Sequence, residues 1–454
     1  MREFRILSPT AILGYGFPVE SLKRGMARRP HAIAVDAGST DPGPSYLGLG
    51  RSFTSHAAVC RDLSLLIPAA ARAGVPLIIG TAGGSGARPH VAECLRAVEQ
   101  VLDECGLRAQ LAVIHADVPK GLLTKALRGG RLTPLPFVPP LTPEMLRQTS
   151  RVVAQMGLEP LLAALSEPAD IVVAGRCYDP AVFAAPPVAR GFDTGLALHM
   201  GKILECSTIA ATPGSGSDCA LGVLRADSFR LEPLSPERRF TVQSVAAHTF
   251  YEKSHPLLLP GPGGHLDLSQ ATFTQVTPTA VEVRGSRFVP SERYAVKLEG
   301  VRRVGYRTVS LAGVRDRALL DQLDGVLAAL RAAVERNSGA LDYSLTLRVY
   351  GRDGVMGPWE PHPAVVGREV GLVIDVIAPT QPRADAVCGL ARSTMLHLGF
   401  PGRMSTAGNL AFPFSPADIP VGRVYEFSVY HLLELDDPLA LFPVHRMVLG
   451  GHGR

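Results

Sequence analysis

The segment Asp36-Ala37-Gly38-Ser39-Thr40-Asp41 puts two carboxylates and two hydroxyls into six residues, directly after the apolar run Ala32-Ile33-Ala34-Val35. Such a set can move a proton: Asp36 or Asp41 would carry it while Ser39 and Thr40 orient a substrate, and Gly38 and Gly43 let the backbone turn. A strand-ending turn whose Asp and Ser cap the next helix accounts for the same residues. A second cluster, Gly83-Gly84-Ser85-Gly86, resembles a glycine-rich anion cradle ahead of a helix, with His90 in that helix's first turn. It fits neither GxGxxG with a later acidic residue nor GxxxxGK[ST], so a nucleotide fingerprint is absent. A tight turn alone would need one such glycine rather than three.

Arg176 and Asp179 follow the apolar run Ile171–Ala174. An arginine at a strand end suits bidentate carboxylate recognition, and an internal Arg176–Asp179 ion pair is the plain alternative. Cys177 between them has no neighbour that would lower its pKa and reads as a packed thiol. His248 and Glu252 are four residues apart, on one face if helical. Arg352-Asp353 in the loop after Val349-Tyr350, and Asn409 at the end of Ser405–Asn409, complete the candidate set. The Arg-Asp-Gly run 352–354 also suits an ordinary turn.

These clusters need elements to hold them. Short continuous apolar runs (32–35, 76–79, 111–114 and 171–174) alternate with amphipathic stretches such as 57–73 and 89–105. That rhythm predicts a parallel, doubly wound α/β sheet over residues 1–205, with ligands bound beyond the carboxyl ends of the strands. Residues 206–300, rich in Pro, Gly and short β-prone runs, predict a β-rich connecting region. From 301 to 454 the order is strand (304–312), helix (315–337), strand (344–350), strand (369–378), helix (382–398), strand (423–432), the β-α-β-β-α-β pattern of a ferredoxin-like α+β domain.

Composition narrows the function classes. The 454 residues are 46% hydrophobic and 19% charged, which suits a folded chain of two or three domains with large cores. Net charge is +5, and basic residues occur singly or in pairs such as Arg28-Arg29, so a nucleic-acid track is not expected. No uncharged apolar run approaches a membrane span, and the N-terminus lacks a signal-peptide pattern; no membrane partner and a cytoplasmic location are expected. The seven cysteines lack CxxC spacing, so neither a disulfide framework nor a structural zinc is encoded. The 13 histidines show no HxH spacing; no cofactor and no metal ligand set is expected, though the chemistry is compatible with a divalent metal.

The segments Ala34–Pro44, Val173–Arg176, Val245–Thr249, Arg348–Gly357 and Ala407–Ser415, in this order, resemble the acyclic terpene utilisation AtuA family over nearly all of the chain. The family takes its name from operons that degrade acyclic terpenes through acyl-CoA esters, and related genes lie near enzymes of branched or polycarboxylic acid breakdown. Longer relatives carry a C-terminal ferredoxin-fold extension. The present chain ends shortly after Phe442-Pro443-Val444-His445, so the resemblance implies a separate small ferredoxin-fold partner subunit. It transfers no catalytic residues.

The reading that joins these observations is an enzyme of small-acid metabolism. A carbon–oxygen lyase (a hydratase or dehydratase) would act on a small, branched or unbranched carboxylic acid or its CoA ester by proton abstraction. Asp36 or Asp41 would move the proton, Arg176 would grip the carboxylate, and the Gly83–Gly86 amides would hold developing negative charge. An isomerase or epimerase using the same abstraction, or a non-catalytic scaffold subunit of a two-component complex, are the alternatives, and the chain itself is expected to form a homo-oligomer.

Overall fold

The computed structural model describes residues 2–251, 254–339, 342–362, 364–365, 367–404 and 410–451. The chain forms two compact units, Met1–Arg302 with Phe427–Arg454, and Arg303–Glu426. It is a mixed α/β protein.

The first unit is organised by a ten-stranded sheet. Five parallel strands form its centre, in spatial order Phe4–Ser8, Ala32–Asp36, Leu77–Gly80, Ile171–Ala174 and Arg108–Ile114. The antiparallel strands Ala220–Leu224, Ser228–Pro233, Ala280–Arg284 and Thr272–Thr277 extend the Phe4–Ser8 edge, and Val444–Gly450 pairs antiparallel to Arg108–Ile114 on the other. Residues 206–300 thus lend four strands to the same sheet. They also form a separate three-stranded sheet of Leu258–Gly261, Gly264–Asp267 and Arg287–Pro290.

Burial on both faces explains the unbroken apolar runs. Alternate residues Ile33, Val35, Leu77, Ile79, Leu111, Val113, Ile171 and Val173 pack against Leu63, Leu66 and Ile67 of the helix His56–Ala73 and against Val91, Val98 and Val101 of the helix Arg88–Glu104. The intervening residues Ala32, Ala34, Ile78, Val172 and Ala174 are equally buried, and the helices Asp179–Val188 and Leu158–Leu165 contact the sheet. The helix Thr194–Leu204, buried along its whole length, lies beside the strand Ala220–Leu224. The strand Phe4–Ser8 was not foreseen, because its polar flank (Arg2, Glu3, Arg5) breaks the apolar run.

The second unit takes the strand Tyr294–Val314 from Arg303 on, helices Arg317–Leu320 and Leu323–Ser338, strands Ser344–Tyr350 and Val370–Ala378, the helix Gln381–His397, and the strand Asp418–Leu435 as far as Glu426. Val370–Ala378 pairs antiparallel with both Tyr306–Val314 and Ser344–Tyr350. One core, including Leu330, Val334, Leu372, Ile374, Val387 and Cys388, lies under this sheet. The expected single helix 315–337 is two, because the Asp321-Gln322 step interrupts it.

Candidate functional site

Three parallel strands deliver the groups that meet at their carboxyl ends. Asp36 ends its strand, Thr81 follows Gly80, and Arg176 lies two residues beyond Ala174. The backbones meet here without room for side chains. A Cβ on Gly86 would lie 2.1 Å from the Arg176 nitrogen, and one on Gly83 would lie 2.4 Å from the His90 carbonyl oxygen. Both glycines also have φ of +67°, a region that favours glycine. Packing therefore accounts for the excess of glycine, which is no longer by itself a sign of an anion cradle. Thr81 adopts φ +46°, unusual for a β-branched residue and a local strain of about 1–3 kcal/mol. Its hydroxyl oxygen accepts a hydrogen bond from the Cys177 N–H at 3.2 Å, which ties the two strand ends together.

Arg176 is 2% exposed and fully engaged. Its Nε donates to Glu299 Oε2 at 2.7 Å, Nη2 to Glu299 Oε1 at 3.3 Å, and Nη1 to Asp179 Oδ1 at 2.8 Å and the Cys177 carbonyl at 2.7 Å. Lys297 Nζ lies 2.7 Å from Glu299 Oε1. Burial alone would raise the Glu299 carboxyl, but Arg176 and Lys297 hold it down at about 2. Arg176 therefore faces internal carboxylates, and the expected grip on a substrate carboxylate would have to displace one of them. The solvent-facing end of the network is formed by Asp179 and Lys297, whose side chains are 22% and 23% exposed.

Asp36 is buried, and Gly38 N–H donates to its Oδ1 at 3.2 Å. Burial first, then the Asp179 carboxylate, raise its pKa well above the ordinary range; Glu205 adds to this, and the Gly38 hydrogen bond and Arg176 do not cancel it. Asp179 is also raised, by burial, but its contact with Arg176 opposes that rise directly. Two carboxyls with different surroundings, one held towards the protonated form beside one contacted by a guanidinium, suit acid/base chemistry.

Beyond Asp36 lies a further group of ionisable residues. Lys202 Nζ donates to Glu205 Oε1 at 2.8 Å and sits 4.6 Å above the Tyr251 ring. Cys206 Sγ lies 3.5 Å from the Tyr251 hydroxyl. His248, in the last turn of the helix Val242–Phe250, stacks on Tyr251 with ring centres 4.6 Å apart. Burial, helped by Lys202, pushes the His248 pKa down to about 4, so this imidazole is neutral at pH 7, and its Nε2 has no hydrogen-bond partner.

The structure sorts the sequence-derived candidates. Asp36, Arg176, Asp179 and His248 gather around this cluster. Ser39 and Asp41 bond to each other in an exposed turn, Ser39 Oγ donating to Asp41 Oδ2 at 2.8 Å and Asp41 N–H to Ser39 Oγ at 3.1 Å, and the Asp41 charge still reaches Asp179, whose carboxyl it helps to raise. Ser39 and Asp41 cap no helix, since the next one begins after Gly43 without a side-chain cap. Thr40 is buried, as are Gly83, Gly84 and Ser85, and the Thr40 and Ser85 hydroxyls lack hydrogen-bond partners. His90 is buried, with Nε2 3.2 Å from the Tyr46 and Arg51 carbonyls and Nδ1 unpartnered. Each buried polar atom left unpaired costs about 1–3 kcal/mol. Arg352 belongs to the second unit and is bonded there to Asp324 at 2.7 Å and Asp353 at 3.0 Å. Asn409 and Glu252 lie outside the described residues.

Sequence reasoning missed Thr81, Lys202, Glu205, Lys297 and Glu299. Thr81 lies between the apolar run 76–79 and the glycine cluster 83–86, which is the one local signal; the others carry none. Among the described residues, no group of three or more His, Cys, Asp or Glu side chains is arranged to hold a metal ion. Among them, no helix is long and apolar enough to cross a membrane. Residues 54–218 match the model of the family described as acyclic terpene utilisation family protein AtuA, a stretch that includes Thr81, the glycine loop, Arg176, Asp179, Lys202 and Glu205. No curated protein and no solved structure matches the chain.

Proposed function

The chain belongs to the acyclic terpene utilisation AtuA family through residues 54–218, and from that premise we propose that it is an enzyme of small-acid metabolism. The proposed reaction is that of a hydro-lyase acting on a small carboxylic acid or its thioester. The supporting observation is the buried Asp36 carboxyl at a strand end beside Asp179, with its pKa raised well above the ordinary range. In this reading Asp36 delivers or removes the proton, a role that typically supplies about 10²–10⁴-fold in rate. Asp179, fixed by Arg176, keeps the Asp36 proton affinity high. Thr81, held by the Cys177 amide, fixes the strand ends that carry both. A doubly wound first unit and a ferredoxin-like second unit are part of the same reading. Helices packed against the sheet support the first, and the strand order Ser344–Tyr350, Val370–Ala378, Tyr294–Val314, Asp418–Leu435 supports the second.

Proton NMR of the purified chain in D₂O, against a panel of hydroxy, unsaturated and branched acids and their CoA esters, tests the proposal. Deuterium next to a carbonyl, with new alkene or carbinol signals, is the expected result. Deuterium without those signals would replace the lyase with an isomerase. No exchange in any substrate would remove the catalytic reading.

A further inference from the structure

Two packed helices of the first unit bring three metal-ligating atoms to one place. His56 and Cys60 are four residues apart on the helix His56–Ala73, one turn from each other on the same face. Gln100 and Glu104 have the same spacing on the helix Arg88–Glu104, which packs against it. Cys60 Sγ lies 3.4 Å from His56 Nε2, His56 Nε2 lies 2.9 Å from Gln100 Oε1, and Cys60 Sγ lies 3.7 Å from Gln100 Oε1. All three sides of this triangle are therefore short. Cys60 is half-buried, and His56 and Gln100 are exposed, so an ion can enter from solvent and keep a water.

The dimensions decide what the triangle can hold. Tetrahedral zinc takes a thiolate at about 2.3 Å and nitrogen or oxygen at about 2.0–2.2 Å, so its donors stand about 3.3–3.6 Å apart. The separations of 3.4 and 3.7 Å that involve Cys60 agree with this. The 2.9 Å separation has to open by a few tenths of an ångström, a small rotation for an exposed glutamine. Gln100 Nε2 donates to Glu104 Oε1 at 2.8 Å, which fixes the amide with its oxygen towards the Cys–His pair. Partners in the next shell orient metal ligands in this way. Only two of the donors come from the acidic, histidine and cysteine side chains that usually make such sites; the third is an amide oxygen. A Cys–His pair alone would also suit a nucleophile and its base. Here a third donor converges on both atoms, and one cation satisfies all three.

We propose that His56 Nε2, Cys60 Sγ and Gln100 Oε1 form a binding site for one divalent transition-metal ion of the zinc class, with water in the fourth position. As the sulfur–metal bond forms, the Cys60 thiol releases its proton to solvent, and the imidazole carries its proton on Nδ1. Thiolate and imidazole donors select zinc over magnesium and calcium, which take oxygen ligands. Bound there, the ion would pin together two helices that pack on the central sheet. The site is independent of the catalytic reading above.

The test is titration of the reduced, metal-free full chain with Co²⁺ and then Zn²⁺, followed by absorption spectroscopy. One Co²⁺ per chain should bind, with the visible bands of a tetrahedral ion and a near-ultraviolet thiolate band, and Zn²⁺ should displace it. Losing an outer-shell partner costs about 10–100-fold in metal affinity. Glu104→Ala should lose about that much, and His56→Ala and Cys60→Ala should each lose more. Gln100→Glu, which replaces the amide oxygen with a carboxylate, should bind at least as tightly as the wild type. Cys105→Ala, which removes an exposed thiol outside the triangle, should change nothing. Zn²⁺ should raise the Tm of the wild type and not that of Cys60→Ala. His56→Ala, at the exposed start of its helix, carries the test should Cys60→Ala fail to fold. Absence of a thiolate–cobalt band, bands that persist in Cys60→Ala or His56→Ala, or bands lost in Cys105→Ala would overturn the proposal.

Discussion

The Arg176 guanidinium and the Glu299 carboxylate, 123 residues apart in the chain, form a buried pair with Nε 2.7 Å from Oε2, and Lys297 holds the same carboxylate. One carboxylate thus pairs with two cations of the first unit, and Asp179 shares Arg176. Glu299→Gln keeps the shape and removes the charge, leaving both cations without it. Breaking a buried pair by removing one partner costs about 3–5 kcal/mol, and chemical denaturation should find a loss of that order. A loss under about 1 kcal/mol, the size of an exposed pair, would contradict the assigned burial.

Two groups, His248 and Glu299, should make stability sensitive to acid. His248 is buried with its pKa lowered from 6.5 to about 4, so the unfolded state takes up its proton first, and stability falls as pH drops from 6.5 towards 4. Glu299, lowered from 4.5 to about 2, contributes stability above 4.5 that is lost as pH falls through that window. Each shift corresponds to about 3 kcal/mol. The raised carboxyls of Asp36 and Asp179 take up protons in the folded state as pH falls and so oppose the His248 loss. The His248 contribution should therefore appear as the difference between denaturation curves of wild type and His248→Gln at stepped pH, and the Glu299 contribution as the loss below 4.5.

The thiols should report burial rather than catalysis. Cys177 is fully buried, and burial pushes its thiol up to about 12; Cys94, Cys219 and Cys388 are also buried, and Cys105 is exposed. In the native protein iodoacetamide should modify Cys105 first and spare Cys177, as read by peptide mass spectrometry. Rapid labelling of Cys177 would contradict its burial.

Gly86→Ala should disrupt the site from its backbone. The added methyl would lie 2.1 Å from the Arg176 nitrogen at a φ of +67°. The strand ends would have to separate, at a cost of several kcal/mol of the overpacking and strain kind, on the order of 1–3 for each. Gly121→Ala, where a Cβ meets nothing within 4 Å, is the control and should leave Tm unchanged or higher. Equal melting temperatures for the two variants would contradict the close approach.

Much of the first unit was legible because a strand buried on both faces writes itself as an unbroken apolar run, as in Leu77–Gly80 and Ile171–Ala174. The helices read as 57–73 and 89–105 are His56–Ala73 and Arg88–Glu104. Asp36, Arg176 and Asp179 were legible for the same reason, since a polar residue at the end of such a run has one place to go. Glu299 was not. It sits inside the 21-residue strand Tyr294–Val314, in a stretch where charged and apolar residues alternate as on a solvated face, and its partner is fixed only by tertiary folding. Lys202 and Glu205 look like a surface i,i+3 pair until the helix carrying Lys202 is seen to be buried throughout. The orientation within 36–41 was equally hidden: local hydrogen bonding ties Ser39 and Asp41 into an exposed turn, and only burial shows Asp36 and Thr40 turned in.

Asp36 binds its proton more tightly than an ordinary carboxyl because it is buried beside Asp179. Carbon-detected NMR titration of aspartate-labelled protein, compared with Asp36→Asn and Asp179→Asn, measures this directly. One carboxyl should titrate well above the ordinary range near 4. Its signal should be missing in Asp36→Asn, and its midpoint should move down in Asp179→Asn. Every aspartate titrating near 4, or a highest-titrating aspartate that persists unchanged in Asp36→Asn, would contradict this assignment of Asp36, since the less strongly raised Asp179 remains in that variant.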